Sequence, residues 1–370
     1  MRAGMVEAPP GPGPIRITPS REQAGQRIDR LFAETIGSIS RSRVKALIDE
    51  GALSRIDEAT PPGTGERRRP PGGAGGTKDP RERTDPNVRP LEGVLVTEPA
   101  EPARAGATYT LMLPEPLPAA PLPQAIPFPI LFEDRDLIVL DKPAGLVVHP
   151  APGNRDGTLV NALLAHCGPG FTGIGAEKRP GIVHRLDKGT SGVMVVAKTQ
   201  LANDVLTAAF AARDLDRTYV ALCWGLPTPL SGEIEGAIGR DKRDRKRMTV
   251  VSHGGKAALT RYKVMRAYGT SAALVECRLA TGRTHQIRVH MSASGHPIVG
   301  DPLYLRRIPA AARTLPEGLR RALLDFPRQA LHATSLGFAH PRTGAAMRFE
   351  TAPPADMTAL LGLLEGSGRD

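Results

Sequence analysis

The stretch Gly181-Ile-Val-His-Arg-Leu-Asp-Lys-Gly-Thr-Ser-Gly192 sets one carboxylate, Asp187, between Arg185 and Lys188 on a charged turn that runs into the apolar segment Val193–Ala197. With His184–Asp187 extended, Arg185 and Asp187 share one face and Leu186 points inward. A carboxylate held on a loop beside a rigid strand is what a positioned nucleophile needs. The same residues also suit an Asp187 that caps a turn or pairs with Lys188, and the spacing alone does not choose.

A second motif, Leu279-Ala-Thr-Gly-Arg-Thr-His-Gln-Ile-Arg-Val-His290, reads as a strand. Arg283, His285, Ile287 and Val289 then lie on one face, with Thr284, Gln286, Arg288 and His290 on the other. His285 and His290 would point opposite ways, which argues against a shared metal ion. The sequence carries no His-Glu-x-x-His, no Walker loop and no Gly-x-Gly-x-x-Gly after a strand, so neither a metal nor a nucleotide cofactor is expected. A glycoside hydrolase would need a second carboxylate in an equally marked motif, and none is found. In Arg240-Asp-Lys-Arg-Asp-Arg-Lys-Arg247, six of eight residues are basic, which suits an exposed loop touching phosphates.

These residues must be positioned by the elements around them. From Pro129 onward, short β-type runs alternate with turns: Leu137–Leu140, Val193–Ala197, Tyr219–Leu222, Leu274–Leu279 and Ile287–Val289. Two helical segments intervene, Thr158–His166 and Leu201–Arg213. Strands outnumber helices without regular alternation, which predicts an α+β fold on a mixed, mainly antiparallel sheet with flanking helices. The expected catalytic domain spans 129–360.

Upstream, residues 1–19 read as a disordered tail and 20–113 as a small domain. Ile28, Leu31, Phe32 and Ile36 recur at helical spacing, and Val44, Leu47 and Ile48 repeat the pattern behind Ser40, a suitable N-cap. The polar face of the two helices carries Arg27, Arg30, Arg41, Arg43 and Lys45, which can dock on phosphates or simply stay solvated. Residues 57–90 hold seven prolines and six glycines, a composition expected to stay disordered. Val94–Val96 and Thr108–Leu113 look like strands, and residues 114–128 like a linker.

The 370-residue chain carries a formal net charge of +11. Residues 1–123 contain 17 Lys+Arg against 16 Asp+Glu, leaving 32 against 22 for residues 124–370. The excess falls on the C-terminal part and favours an anionic partner, nucleic acid first. Three widely spaced cysteines give no disulfide framework. With no long apolar run and no secretory leader, a soluble cytoplasmic protein is expected, monomeric by default.

The segment His184–Gly192 resembles the catalytic motif of the RluA-type pseudouridine synthases. Around it stand Asp141-Lys-Pro-Ala-Gly-Leu-Val-Val-His-Pro150, Arg217-Thr-Tyr-Val-Ala-Leu222, Gly282–His290, Gly295-His-Pro-Ile-Val-Gly-Asp301 and Leu331-His-Ala333, in the family's order. Residues 23–53 resemble the helical half of an S4 RNA-binding domain, although the Pro/Gly insertion intrudes where the S4 strand and turn would follow. That pairing, with His149-Pro-Ala-Pro-Gly-Asn154 and Gly157-Thr-Leu-Val-Asn-Ala162, is most similar to the RluD-type members of the family.

The resemblance implies conversion of uridine to pseudouridine in a stem-loop of large-subunit ribosomal RNA, without cofactor. It implies Asp187 as nucleophile, Arg283 as the cation that keeps it ionised, and Tyr219 stacked on the uracil and helping to remove the C5 proton. Arg185 would fill the gap left by the flipped base, and Leu331 would pack against it. Phosphate contacts would fall to Arg27, Arg30, Arg41, Arg43 and Lys45, and to Arg243, Arg245, Lys246 and Arg247. His184, His285 and His332 are expected to be buried, hydrogen-bonded strand histidines. Lys142, Lys198 and Arg288 are expected to meet phosphates or neighbouring carboxylates. The competing expectation is a non-catalytic RNA-binding assembly factor on the same fold.

Overall fold

The structure is a computed structural model, and it describes residues 13–57, 92–114, 120–151, 153–176, 179–241, 243–244 and 246–366. The chain divides into two compact units, Met1–Leu117 and Pro118–Asp370. The insertion expected to be disordered lies, but for Asp57, outside the described residues.

In the first unit, β1 (Gly13–Ile17) is followed by helices α1 (Ile28–Ile36) and α2 (Arg41–Asp49), then β2 (Leu53–Ile56), β3 (Val94–Leu95) and β4 (Thr108–Leu113). The four strands form one sheet in the order β1-β4-β2-β3. The helices form where the periodicity places them. Ile28, Leu31, Phe32, Val44, Leu47 and Ile48 are buried in one core with Leu53, Tyr109 and Leu111, and the Ser40 hydroxyl accepts the Arg43 N–H at 3.3 Å. The expected tail is corrected in part: Gly13–Ile17 is a strand because it pairs in full register with β4.

The second unit opens with the hairpin β5 (Ile130–Glu133) and β6 (Leu137–Lys142), then α3 (Leu159–Cys167) and the short pair β7 (Gly175–Ala176) and β8 (Arg179–Pro180). Next come β9 (Ser191–Ala197), α4 (Gln200–Ala212), β10 (Asp216–Trp224), β11 (Ser231–Glu235), the ribbon β12 (Ile238–Arg240) and β13 (Met248–Val250), and the long hairpin β14 (Leu259–Tyr268) and β15 (Ala272–Leu279). Helices α5 (Gln286–Ala293) and α6 (Glu317–Leu324), strands β16 (Leu331–Ala339) and β17 (Ala346–Glu350), and helix α7 (Ala355–Gly366) complete it. Nine strands share one sheet, β11-β14-β15-β10-β16-β9-β6-β5, with β17 on β16. Every pairing in it is antiparallel except β9 with β16.

Three boundaries move. Helix α7 runs past residue 360 to Gly366. The linker region is tied down at Gln124, whose N–H donates to the Asn161 carbonyl and whose side chain accepts the Gly157 N–H. The segment read as strand Ile287–Val289 lies in helix α5. There the Gln286 side-chain oxygen accepts both the Arg283 N–H at 3.0 Å and the Thr281 hydroxyl at 2.6 Å, holding the first turn. Ile287 and Met291, four residues apart, then enter the main core together.

Candidate active site

The parallel junction of β9 and β16 builds the site. Ser191 pairs with His332 and Gly192 with Ala333, so the segment before β9, which carries Asp187, ends beside the start of β16, which carries Leu331. Gly192 has φ +119°, and a Cβ there would lie 2.2 Å from the Ala333 carbonyl oxygen. Only glycine lets the two strands approach this closely. On the other side of β16, β10 sets Tyr219 opposite Ala333, at a shift in register between Thr218 and Tyr219.

Asp187, Arg185, Tyr219, Arg283 and Leu331 line one cavity of about 300 Å³. Asp187 and Arg185 also border a second of about 660 Å³ with His149, Asn154 and Lys188. Tyr219 and Leu331 are buried, with Tyr219 8% exposed, and burial pushes the phenol's pKa up so that it keeps its proton. Arg185 is exposed, with Nη1 3.5 Å from the His149 ring. The Lys188 ammonium donates to the Asn154 side chain at 3.1 Å, so Lys188 is not the partner of Asp187.

That partner is a guanidinium, but not the expected one. Arg288 Nη1 donates to Asp187 Oδ2 at 2.9 Å, while Arg288 Nε and Nη2 donate to Asp301 at 2.7 and 2.9 Å. Arg283 sends its Nε to the Ala257 carbonyl instead. The helical path of α5 explains the exchange: three residues past His285, Arg288 turns inward and is 4% exposed. Burial works against its charge, but Asp301 and Asp187 outweigh it and raise the pKa. Asp301 is held in turn by the Leu303 and Tyr304 N–H groups. The sequence does carry a signal for this, since Arg288 belongs to the second motif and neighbouring carboxylates are among its expected partners.

His285 is corrected as well. It is no strand histidine but the residue before α5, in the left-handed region with φ 56°. Its Nε2 lies 3.8 Å from Asp187 Oδ1. His184 lies in the extended segment before β9, stacks on Phe210 and accepts the Val195 N–H at 3.1 Å. Burial pushes its pKa down to about 3 and keeps it neutral. His332 fits the expectation: buried on β16, it bonds the Ser191 hydroxyl and the Thr351 carbonyl.

Beneath the loop, Lys142 is fully buried, its ammonium donating to the Pro143 and Leu146 carbonyls at 2.8 and 2.9 Å, with Lys188 O at 3.5 Å. Burial pushes its pKa down to about 7. It braces the loop from inside, so no phosphate reaches it. Lys198 pairs with Glu133. Arg328, which no sequence motif singles out, bonds the Gly189 carbonyl and Asp356.

Of the proposed phosphate contacts, Arg27 and Arg41 are paired with the buried Asp29, and Arg30 with Glu34. Arg43 and Lys45 are exposed. In the basic loop, Arg243 and Lys246 are exposed, Arg245 lies outside the described residues, and Arg247 lies over the Tyr304 ring at 5.1 Å.

Residues 136–293 match the family model described as RNA pseudouridylate synthase. The chain is 42% identical over 356 residues to the ribosomal large subunit pseudouridine synthase D of Zymomonas mobilis, covering 96% of this chain and 99% of that one. The chain belongs to the RNA pseudouridylate synthase family. The synthase of the same name from Pseudomonas aeruginosa is 40% identical over 346 residues, 93% of each chain. Among solved structures, human RNA pseudouridylate synthase domain containing 4 matches with a TM-score of 0.50 and 28% identity, covering 64% of this chain and 93% of that one. The synthase is therefore an isomerase acting on RNA uridine, and the mixed sheet with its flanking helices is the fold of that family.

Proposed function

We propose that this synthase converts uridines of large-subunit ribosomal RNA to pseudouridine in the cytoplasm, with Asp187 as the carboxylate that acts on the sugar. The ribosomal substrate is supported by the names of the relatives from Zymomonas mobilis and Pseudomonas aeruginosa, and by the cationic excess in residues 124–370. The observation that carries the role of Asp187 is its position in a cavity, ion-paired to Arg288 and lined also by Tyr219 and Leu331.

The reaction breaks N1–C1′, turns the uracil and forms C5–C1′. The proton lost from C5 is balanced by one gained at N1. No donor or acceptor of electrons is needed. The uridine must first leave its stack, at roughly a few kcal/mol. Arg185, exposed at the cavity mouth, takes the vacated space, since a guanidinium stacks on bases. Tyr219 and Leu331 pack against the extruded uracil, and because the Tyr219 phenol keeps its proton, it takes up the C5 proton only by passing its own on toward N1. Asp187 Oδ2 is engaged by Arg288, which leaves Oδ1 for the sugar. Attack at C1′ and removal of a sugar proton both draw on that oxygen.

Asp187→Asn tests the assignment. Site-resolved pseudouridine mapping of ribosomal RNA from a deletion strain should lose specific sites that the wild-type gene restores and the variant does not. Single-turnover rates of the purified variant should fall on the order of 10⁴-fold or more while RNA binding persists. Restoration by Asp187→Asn would remove Asp187 from the chemistry. A deletion that costs no ribosomal pseudouridine would remove the substrate.

A further inference from the structure

His285 holds a conformation that a residue with a Cβ seldom adopts, φ 56° and ψ 21°, beside the reacting carboxylate. Such outliers persist where surroundings enforce them and often mark function. Two neighbours fix what the imidazole presents. The Met248 N–H donates to the Tyr304 hydroxyl oxygen at 3.0 Å, and that hydroxyl lies 2.8 Å from His285 Nδ1. Tyr304 is buried, with the guanidinium groups of Arg247 and Arg288 each 5.1 Å from its ring. Burial pushes its pKa up to about 12, so the phenol keeps its proton, and burial holds the His285 pKa down, so the ring is neutral. With the Met248 N–H already donating to the phenol oxygen, the Tyr304 proton is directed to His285 Nδ1. Nδ1 therefore accepts, the ring proton sits on Nε2, and Nε2–H faces Asp187 Oδ1 across 3.8 Å.

An oxygen beside that gap, off the line joining the two atoms, can lie about 2.8 Å from each. The oxygen must accept from nitrogen and donate to the carboxylate. Within an internal uridine nucleotide, O2, O4, the ring oxygen and the esterified oxygens only accept, and N3–H only donates. The 2′-hydroxyl alone does both, and it is bonded to the carbon next to C1′. We propose that His285 and Asp187 together form a subsite for the ribose 2′-hydroxyl of the reacting nucleotide, with Tyr304 as the positioning residue that fixes the imidazole tautomer. This rests on the reading that Asp187 acts at the sugar, and it adds a contact that discriminates ribose from deoxyribose.

The test uses one RNA stem-loop carrying the target as uridine, 2′-deoxyuridine or 2′-fluorouridine, with full-length wild type, His285→Phe, His285→Gln and Tyr304→Phe. The intrinsic lability of each glycosidic bond is common to all enzymes and cancels when variants are compared. Relative to the variants, wild type should favour ribose by roughly 2- to 13-fold in kcat/KM, the worth of one neutral hydrogen bond. His285→Phe should slow the ribose substrate and bring its ribose-to-deoxyribose ratio down by that factor. His285→Gln, which keeps an N–H donor, should recover part of the ratio. Tyr304→Phe should lose part of it, and it carries the test if His285→Phe does not fold. A ratio unchanged in both His285→Phe and Tyr304→Phe overturns the subsite. A wild-type enzyme that makes no pseudouridine in the ribose substrate instead overturns the function proposed above.

Discussion

Arg288 serves two carboxylates at once, and this distinguishes it from every other cation among the described residues of the site. Its fork bonds Asp301 through Nε and Nη2 and leaves Nη1 for Asp187. A lysine offers a compact charge and cannot reproduce that planar division. Arg288→Lys should fold with a lowered Tm and slow isomerisation by roughly 10- to 150-fold, the worth of one hydrogen bond to a charged group at about 1.5–3 kcal/mol. Arg288→Ala leaves Asp301, whose side chain is fully buried, beside an empty space. Removing one partner of a buried ion pair costs about 3–5 kcal/mol. Urea titration and single-turnover assays check both variants. An Arg288→Ala protein with wild-type stability and rate would mean that the Asp187 ion pair does no work.

At the scale of elements, what the sequence makes legible follows from local physics. Runs of branched apolar residues such as Val193–Ala197 need no partner to be read as buried strands, and they are. Helix α5 escapes because Ile287, Val289 and Met291 alternate as a strand would, and what decides is Gln286 capping the turn from its own side chain. Arg283 is taken for the ion-pair partner on family resemblance, and nothing in the spacing tells it from Arg288, which the helical turn aims at Asp187 while Arg283 bonds the Ala257 carbonyl. Tyr304 has no local signal at all, since its role comes from packing against residues far along the chain. The meeting of β9 with β16, about 140 residues apart, is likewise a tertiary fact. It rests on Gly192, and Gly192→Ala should cost roughly 2–4 kcal/mol through overpacking and backbone strain. Gly170→Ala, where nothing lies within 4 Å of the added Cβ, should stay within about 0.5 kcal/mol. Equal denaturation midpoints for the two variants would show that the close approach is not needed.

At the scale of the whole molecule, two units with separate cores carry charge differently. Residues 124–370 hold nearly all of the cationic excess, while in the first unit Arg27, Arg30 and Arg41 are already paired with Asp29 and Glu34. The exposed Arg30–Glu34 pair is worth little and can be exchanged for phosphate, whereas withdrawing Arg27 and Arg41 would strand the buried Asp29, and the net field of the three pairs is small. Arg43 and Lys45 on α2 are different: both are exposed, and neither has an ion pair among the described residues. If the α2 face meets RNA, these two residues are the contacts, and they contribute to affinity rather than to chemistry. Reversing both, Arg43→Glu with Lys45→Glu, should raise Kd for a structured RNA at low salt. It should also flatten the dependence of log Kd on log salt by nearly one for each phosphate that is no longer neutralised. The single-turnover rate at saturating enzyme should not change, because neither residue lines the cavity that holds Asp187. A Kd and salt slope equal to those of wild type would show that Arg43 and Lys45 do not meet RNA. A fall in the saturated rate with no change in Kd would instead tie the first unit to the isomerisation step.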